Sequence, residues 1–301
     1  MSDTIGGYQI LRKLAESHTA EIYHVLKLVG KGRGKEFALK ALRPEFAADD
    51  IEKDHIENEF RLCSSMTHRN LVGAHEVETN GERPFLVMDL IQGRSLRELI
   101  DQQPQRIVDV LEWHAQESDG LAYFHNLGYV HRDVKPQNLM IGDDGIVRVI
   151  DFALSIKQDT ALGAHLIRKL FNRRTPGTGS YMSPEQIRNG RITGQADVYS
   201  LGVSLFEAIT GRLPFAAEKS NEVLHQHVYA AVPSLMKGRP DVLPDVDEFV
   251  RAMMAKVPGD RPSGMVYVGV KLRELAALCR KAAGRTEPIG RERHGTSLSG
   301  I

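Results

Sequence analysis

The chain has 301 residues, 42% of them hydrophobic and 26% charged, and its 39 Lys and Arg balance 39 Asp and Glu. That length buries a large core and divides readily into two lobes, while zero net charge gives no global basic field for nucleic acid or an anionic membrane. Two cysteines, Cys63 and Cys279, exclude a disulfide framework or a cysteine zinc cluster and fit a reducing, cytoplasmic setting.

Met1 to Thr4 starts neither a basic stretch nor a long apolar run, so no signal peptide is expected. No apolar segment of about 18 residues occurs, so no membrane span is expected. From Tyr8 the chain alternates apolar and polar positions (Ile10, Leu14, then Ile22, Tyr23, Val25), which predicts two strands joined through Ala15 to Ala20. Gly30 to Gly34 reads as a hairpin turn and Phe37 to Leu42 as a third strand. Residues 49–66 carry Ile51, Ile56, Phe60, Leu62 and Met66 at helical spacing, with Asp49 or Asp50 as the N-cap. Leu71 to Val77 and Phe85 to Asp89 read as two further strands around a turn at Asn80-Gly81. The first 90 residues are therefore expected to form a small antiparallel sheet carrying one helix.

From Ser95 the pattern turns helical: Leu96 to Ile100, then Val108 to Leu127 ending at Gly128. Gly142 to Gly145 is a turn, and Ile146 to Ile150 a buried strand. Residues 151–185 are irregular and rich in Lys, Arg and Thr, and a loop of that length in a compact domain usually has a function or is disordered. An apolar helix over 195–210 stops at Gly211 and Pro214, and helices follow at 218–230, 245–256 and 262–283. The tail from Arg285 is basic, rich in turn residues and expected to be disordered.

Between the second helix and the buried strand lies Tyr129 to Met140, apolar at both ends and charged in the middle. Asp133 and Asn138 stand five positions apart with Lys135 between them. A carboxylate, an amide and an ammonium crowded this closely suit a phosphate and its metal, although a lone His-Arg-Asp triplet reads first as a solvated loop between two elements. Its weight depends on partners elsewhere in the chain.

Those partners carry a resemblance. Phe37-Ala38-Leu39-Lys40, Asn58-Glu59-Phe60, His131 to Asn138, Asp151-Phe152-Ala153 and Ser183-Pro184-Glu185 occur in the order and on the elements of the eukaryotic-type (Hanks-type) Ser/Thr protein kinases. The chain resembles that family, in its bacterial style, over residues 8–281. The resemblance implies an α+β, bilobal kinase fold: a small antiparallel-sheet N-lobe with one main helix, and a larger, mostly helical C-lobe. The implied divisions are an extension (1–7), the N-lobe and hinge (8–92), the C-lobe (93–283) and a basic tail (284–301).

It also implies roles. Lys40 would hold the α- and β-phosphates of ATP and pair with Glu59; Asp133 would orient or accept the proton of the substrate hydroxyl; Lys135 would offset charge on the transferred phosphoryl group. Asn138 and Asp151 would ligate Mg2+. Ala38 and Met140 would sandwich the adenine, Ile22 would stand where the family has the valine of its phosphate loop, Met88 would sit behind the base, and the backbone of Asp89 to Ile91 would pair with it. Asp197 would anchor the loop around Asp133, and Arg261 would pair with Glu185. Protein substrates phosphorylated on Ser and Thr are implied partners, with self-association for autophosphorylation; nucleic acid and a membrane span are not.

Three departures stand out. The family's three phosphate-loop glycines are replaced by Ala15, Ser17 and Ala20, and Glu16 and Glu21 add negative charge, so ATP binding is expected to be weaker. Ala153 stands where the family has glycine; its Cβ penalises left-handed backbone by about 1–2 kcal/mol and should restrict movement of Asp151 and Phe152. Ser183 replaces alanine, a mild change. Thr160, Thr175, Thr178 and Ser180 are candidate phosphoacceptors. Thr178 is assigned to the substrate pocket and Thr175 to a switch whose phosphate pairs with Arg132. Arg168, Lys169, Arg173 and Arg174 would contact acidic substrate or solvate the loop. The alternative to an active kinase is a pseudokinase scaffold, favoured by the lost glycines and opposed by the retained Lys40, Glu59, Asp133, Asn138 and Asp151.

Overall fold

In the computed structural model the described residues are 3–158 and 178–285. The first part is a six-stranded antiparallel sheet. Its strands are β1 (Thr4–Ile5), β2 (Tyr8–Glu16), β3 (Ala20–Lys27), β4 (Glu36–Leu42), β5 (Ala74–Glu78) and β6 (Phe85–Met88), in the order β1-β2-β3-β4-β6-β5. The extension joins this sheet: Ile5 pairs with Tyr8 across a Gly6-Gly7 turn and is buried. Gly6 has φ +54°, and a Cβ there would stand 2.8 Å from the Phe85 ring, so only glycine fits.

Strand periodicity sorts the two faces. On β4, Leu39 and Ala41 join Tyr8, Val25, Phe85 and Val87 in an outer cluster, while Ala38 and Leu42 point inward with Leu86 and Met88. Helix α1 (Asp50–Cys63) covers the inner face. Asp49 caps it by accepting from the Ile51 N–H, and Ile56, Glu59, Leu62 and Cys63 form its buried stripe.

The expected strand at Leu71 to Val77 is divided between two partners. Its second half is β5, paired with β6, whereas Leu71 bridges to Val149 of the second lobe, with Val72 N–H donating to Val149 O at 3.1 Å. The apolar pattern is real, but the chain spends it on tying the lobes together. The Gly93–Ser95 strand β7 follows the linker; Gly93 has φ +151° and a Cβ would meet Ile141 O at 2.1 Å.

The second lobe is helical: α2 (Leu96–Gln102), α3 (Ile107–Asn126), then the strands β8 (Tyr129–Val130), β9 (Leu139–Gly142), β10 (Val147–Val149) and β11 (Ile156–Lys157). Helices α4 (Pro184–Ile187), α5 (Gly194–Thr210), α6 (Ser220–Tyr229), α7 (Pro244–Met253) and α8 (Met265–Arg285) complete it. Helix α5 is buried from Ala196 to Ile209, which is why its sequence is mostly apolar on every side, and Gly211 ends it at φ 71°. Helix α3 packs along α8 and against α5.

One polar cluster lies inside this packing. His114 and Glu117 of α3 are buried, with Nε2 and Oε2 3.8 Å apart. Burial, then the charge of Asp197, pushes Glu117 up to about 8, and burial pulls His114 down to about 4. The two therefore face each other as neutral groups near pH 7 rather than as an ion pair. Glu117 ordinarily titrates at 4.5, so the folded state binds its proton more tightly, and the stability this gives is lost as pH rises towards about 8. His114 acts in the opposite sense, but only between about 4 and its ordinary 6.5. Glu117→Gln is expected to flatten the fall in melting temperature above pH 6.5 and to melt above the parent at alkaline pH. Equal pH dependence of the two proteins in thermal melts would show that Glu117 ionises freely.

Candidate active site

The residues singled out by the resemblance face one another from the two lobes. On the sheet side, Ile22 lies directly across from Lys40, and Ala38 directly across from Met88, so all four share the inner face. Lys40 Nζ donates to Glu59 Oε2 at 2.8 Å and to Asp151 Oδ1 at 3.0 Å. Glu59 is buried, and its Oε1 also accepts from the Phe152 N–H at 3.3 Å. The helix, the strand and the segment after β10 are thus fastened at one ammonium.

Two carboxylates share that ammonium unequally. Burial disfavours charge on Lys40, but Asp151 and Glu59 outweigh it and raise its pKa. Burial pushes Asp151 up, but the charges of Lys40 and Lys135 prevail and hold it well below the usual carboxylate range. Burial, helped by the Asp151 charge, pushes Glu59 up. Asp151 has the second cation, Lys135, acting on it, and its side chain is 34% exposed against 2% for Glu59.

On the opposite wall the polar loop is folded back on itself. Lys135 Nζ donates to Asp133 Oδ2 at 2.6 Å, and Asn138 Nδ2 donates to Asp133 O at 2.8 Å and to Oδ2 at 3.1 Å. Asp197, fully buried on α5, accepts from the His131 and Arg132 N–H groups, each at 2.8 Å. Burial alone would raise its pKa; the His125 hydrogen bond at 2.8 Å and the nearby His125 and His131 imidazoles keep it low. His125 is a partner that sequence spacing does not reveal, because it comes from the far end of α3. Phe152 is buried against the rings of His131 (4.8 Å) and Phe124 (5.1 Å). Met140 on β9 is half-buried, and Leu90 and Ile91 of the linker pack against the core. The Asp89 N–H is engaged by Gly73 O at 3.0 Å and its carboxylate by Gly73 N and His75, so its carbonyl is what it offers a ligand.

The glycine-free lid solves its turn differently. Strand β2 continues through Ala15 to Glu16, so the turn is only Ser17 to Thr19. Ser17 N–H donates to Ala20 O at 2.8 Å, and the Ser17 hydroxyl accepts from Ala20 N–H at 3.0 Å. No residue from 15 to 20 has positive φ. The acidic side chains are neutralised: Glu16 by Lys13 and Arg43, Glu21 by Lys13 and Arg83. Arg43 also donates to Ser17 O at 3.0 Å, and His18 stacks edge-on against Phe46 at 5.1 Å. The expected repulsion of phosphate by two bare carboxylates is thus largely removed.

Ala153 is likewise not strained. The left-handed residues here are Asp151 (φ 64°) and Arg132 (φ 69°), so this arrangement incurs no penalty at Ala153. Asn58 of α1, beside Glu59, donates to Ala153 O and Ser155 O, both at 3.2 Å, a second tie between helix and segment. Glu185 and Arg261 form the expected pair through two hydrogen bonds. Ser180 is buried, which removes it as an accessible phosphoacceptor. Thr178 opens a short 3-10 turn ending at Tyr181, the last helix runs on to Arg285 where the tail was expected to begin, and Thr160, Thr175, Arg168, Lys169, Arg173, Arg174 and residues 286–301 lie outside the described residues.

Residues 8–271 match the family model described as protein kinase domain. The serine/threonine-protein kinase PknL of Mycobacterium tuberculosis is 34% identical over 277 residues, covering 89% of this chain and 65% of that protein. PrkC of Bacillus subtilis is 31% identical over 85% of this chain and 38% of its own length. The DNA damage-responsive kinase RqkA of Deinococcus radiodurans is 31% identical over 98% of this chain and 43% of its own. The chain thus spans about two thirds of PknL and under half of the other two. A crystal structure of the PknI kinase domain from Mycobacterium tuberculosis superimposes with a TM-score of 0.69 at 22% identity, over 91% of this chain and 98% of that one, which shows the same bilobal fold.

Proposed function

The chain belongs to the protein kinase family, in its bacterial Ser/Thr (Hanks-type) style, and on that premise we propose that it transfers the γ-phosphoryl group of ATP to Ser and Thr hydroxyls of protein substrates. The observation that carries this reading is the pair of side-chain clusters, Lys40 with Glu59 and Asp151 and Lys135 with Asp133 and Asn138, joined by the Ile150 N–H donating to Asn138 O at 3.0 Å and by the Lys135 charge acting on Asp151. Lys40, held between two carboxylates, is preset to meet the α- and β-phosphates. Ala38 and Ile22 above, Met140 below and Met88 behind would enclose the adenine, with the Asp89 and Ile91 backbone pairing its edge. Asp133 has its Oδ2 engaged by Lys135 and Asn138, which fixes the carboxylate to receive the substrate hydroxyl's proton. Lys135 lies beside it to stabilise charge on the moving phosphoryl group.

The donor set fits magnesium. Asn138 commits its amide nitrogen to Asp133, which leaves its oxygen for a cation, and Asp151 Oδ2 accepts no hydrogen bond among the described residues. These are hard oxygen donors of the type Mg2+ prefers. When held by Asn138 and Asp151, the metal would supply positive charge that neutralises the phosphates. A cytoplasmic location agrees with the two free thiols, and no described helix is long and apolar enough to cross a membrane. Autophosphorylation within 151–185, through transient self-association, belongs to the same proposal.

Incubation with labelled Mg-ATP tests it. Label is expected in the chain or in an added acceptor such as casein, with a thermal upshift that EDTA removes. Neither transfer nor upshift would overturn the reading; upshift without transfer would favour the pseudokinase scaffold. The lid supplies a finer prediction. Ser17→Ala removes the hydroxyl that closes the turn, a hydrogen bond worth about 1 kcal/mol, so the KM for ATP should rise about fivefold with kcat nearly unchanged. An unchanged KM would mean that Arg43 and His18 alone set the lid.

A further inference from the structure

Arg132, which precedes Asp133, adopts φ 69°. For a residue with a side chain, left-handed backbone costs about 1–2 kcal/mol and persists only where the surroundings over-determine it. Its N–H is held by Asp197 at 2.8 Å. Its carbonyl is held from another direction: Gln186 Nε2, on α4 and 54 positions away, donates to Arg132 O at 3.0 Å. Gln186 is 3% exposed.

The orientation of that amide is set by chemistry. Gln186 Oε1 accepts from the Ser183 N–H at 3.0 Å and from the Ser183 hydroxyl at 2.9 Å, while the Gln186 N–H donates back to Ser183 Oγ at 3.3 Å. A backbone N–H can only donate and a carbonyl can only accept, so the amide cannot flip without losing both ends. Ser183, fully buried, is thus the residue that aims the Gln186 amide at the loop.

We infer that Gln186 is a positioning residue for Asp133, holding the strained Arg132 peptide through its carbonyl, and that Ser183 acts through Gln186. This rests on the kinase reading above. It adds a mechanical link from the segment that closes the substrate side of the site to the backbone that presents the catalytic carboxylate. The backbone N–H of residue 183 fixes the direction of the amide, and the Ser183 hydroxyl, which alanine would lack, adds a second hydrogen bond that tightens it.

The test is steady-state kinetics with Mg-ATP and casein, together with hydrogen exchange across residues 129–135 and thermal melting. Gln186→Met, close in shape but without the amide, should lower kcat about tenfold to a hundredfold, the scale of a misplaced catalytic group, with KM for ATP within about twofold. Exchange at the His131 and Arg132 amides should rise while protection of α5 and α8 is kept. Ser183→Ala should lower kcat about fivefold, the worth of one hydrogen bond, and add nothing in the Gln186→Met background. A kcat within twofold of the parent with unchanged loop exchange overturns the inference. So does a loss of kcat that comes with equal loss of protection throughout the lobe, since Gln186 would then serve only the fold. Should the parent protein transfer no phosphate, the kinase reading fails on that measurement, and loop exchange in Gln186→Met still decides whether Gln186 holds the loop.

Discussion

Replacing Asp133 with asparagine is expected to lower phosphotransfer by about 10²–10⁴-fold, the range for loss of a positioned general base. The substitution keeps size and shape, so the Asn138 contact to the backbone carbonyl of residue 133 should survive. What disappears is the charge that meets Lys135 at 2.6 Å and the oxygen that can take a proton. Neither Lys40 nor Asp151 is touched, so the thermal upshift with Mg-ATP should persist, and the defect should lie in kcat rather than in KM for ATP. Rates within about tenfold of the parent would remove Asp133 from the role of base. A parallel loss of the Mg-ATP upshift would instead mean that Asp133 serves nucleotide binding.

Arg261→Ala is expected to be the most destabilising single change, by about 3–5 kcal/mol, because it strands a buried charge. The guanidinium side chain is 0% exposed. It makes two hydrogen bonds to Glu185, at 2.7 and 2.8 Å, and donates to Ala255 O at 2.8 Å and Gln195 O at 2.7 Å. It also lies over the Tyr199 ring at 5.0 Å. Truncation leaves a buried Glu185 carboxylate and two carbonyls without their donor. At about 2–4 °C per kcal/mol for a chain of this size, the melting temperature should fall by roughly 10 °C. Because the loss comes from the stranded partner, Glu185→Leu combined with Arg261→Leu should be less damaging than Arg261→Ala alone. A single variant melting within about 2 °C of the parent would show that water reaches this pair and that it anchors nothing.

Both predictions depend on groups whose spacing was visible in the chain. Asp133 and Asn138 were legible from their close spacing around Lys135, and Lys40, Glu59, Asp151, Glu185 and Arg261 from the resemblance to the kinase family, whose motifs occur here in order. The elements carrying them were legible because strand alternation on β4 and the helical stripe of α1 follow from which face is buried. Even the departures could be located, since three missing glycines and one extra Cβ are facts of composition at known positions.

Their consequences were not legible. The charge of Glu16 and Glu21 in the lid is met by Lys13, Arg43 and Arg83, and Arg83 comes from a loop 62 positions beyond Glu21, a distance along the chain that no local pattern spans. Ala153 looked strained because its φ cannot be read from its neighbours; the chain places the left-handed conformation at Asp151 instead. Ser183 looked mild because its hydroxyl works on Gln186, whose own target is a carbonyl 54 residues back. Leu71 and Val72 looked like part of one strand, yet they pair with the other lobe.

The order of residues along the chain thus carried the resemblance to the kinase family and the local elements on which its motifs ride, because periodicity and motif order are properties of neighbours along the chain. Only the tertiary structure decided which charges are neutralised, which backbone is strained and what holds it. Hydrogen-bond partners such as Asp197 for Arg132 and His125, or Gln186 for Arg132, meet only after distant segments pack, and burial then sets how strongly each pair acts.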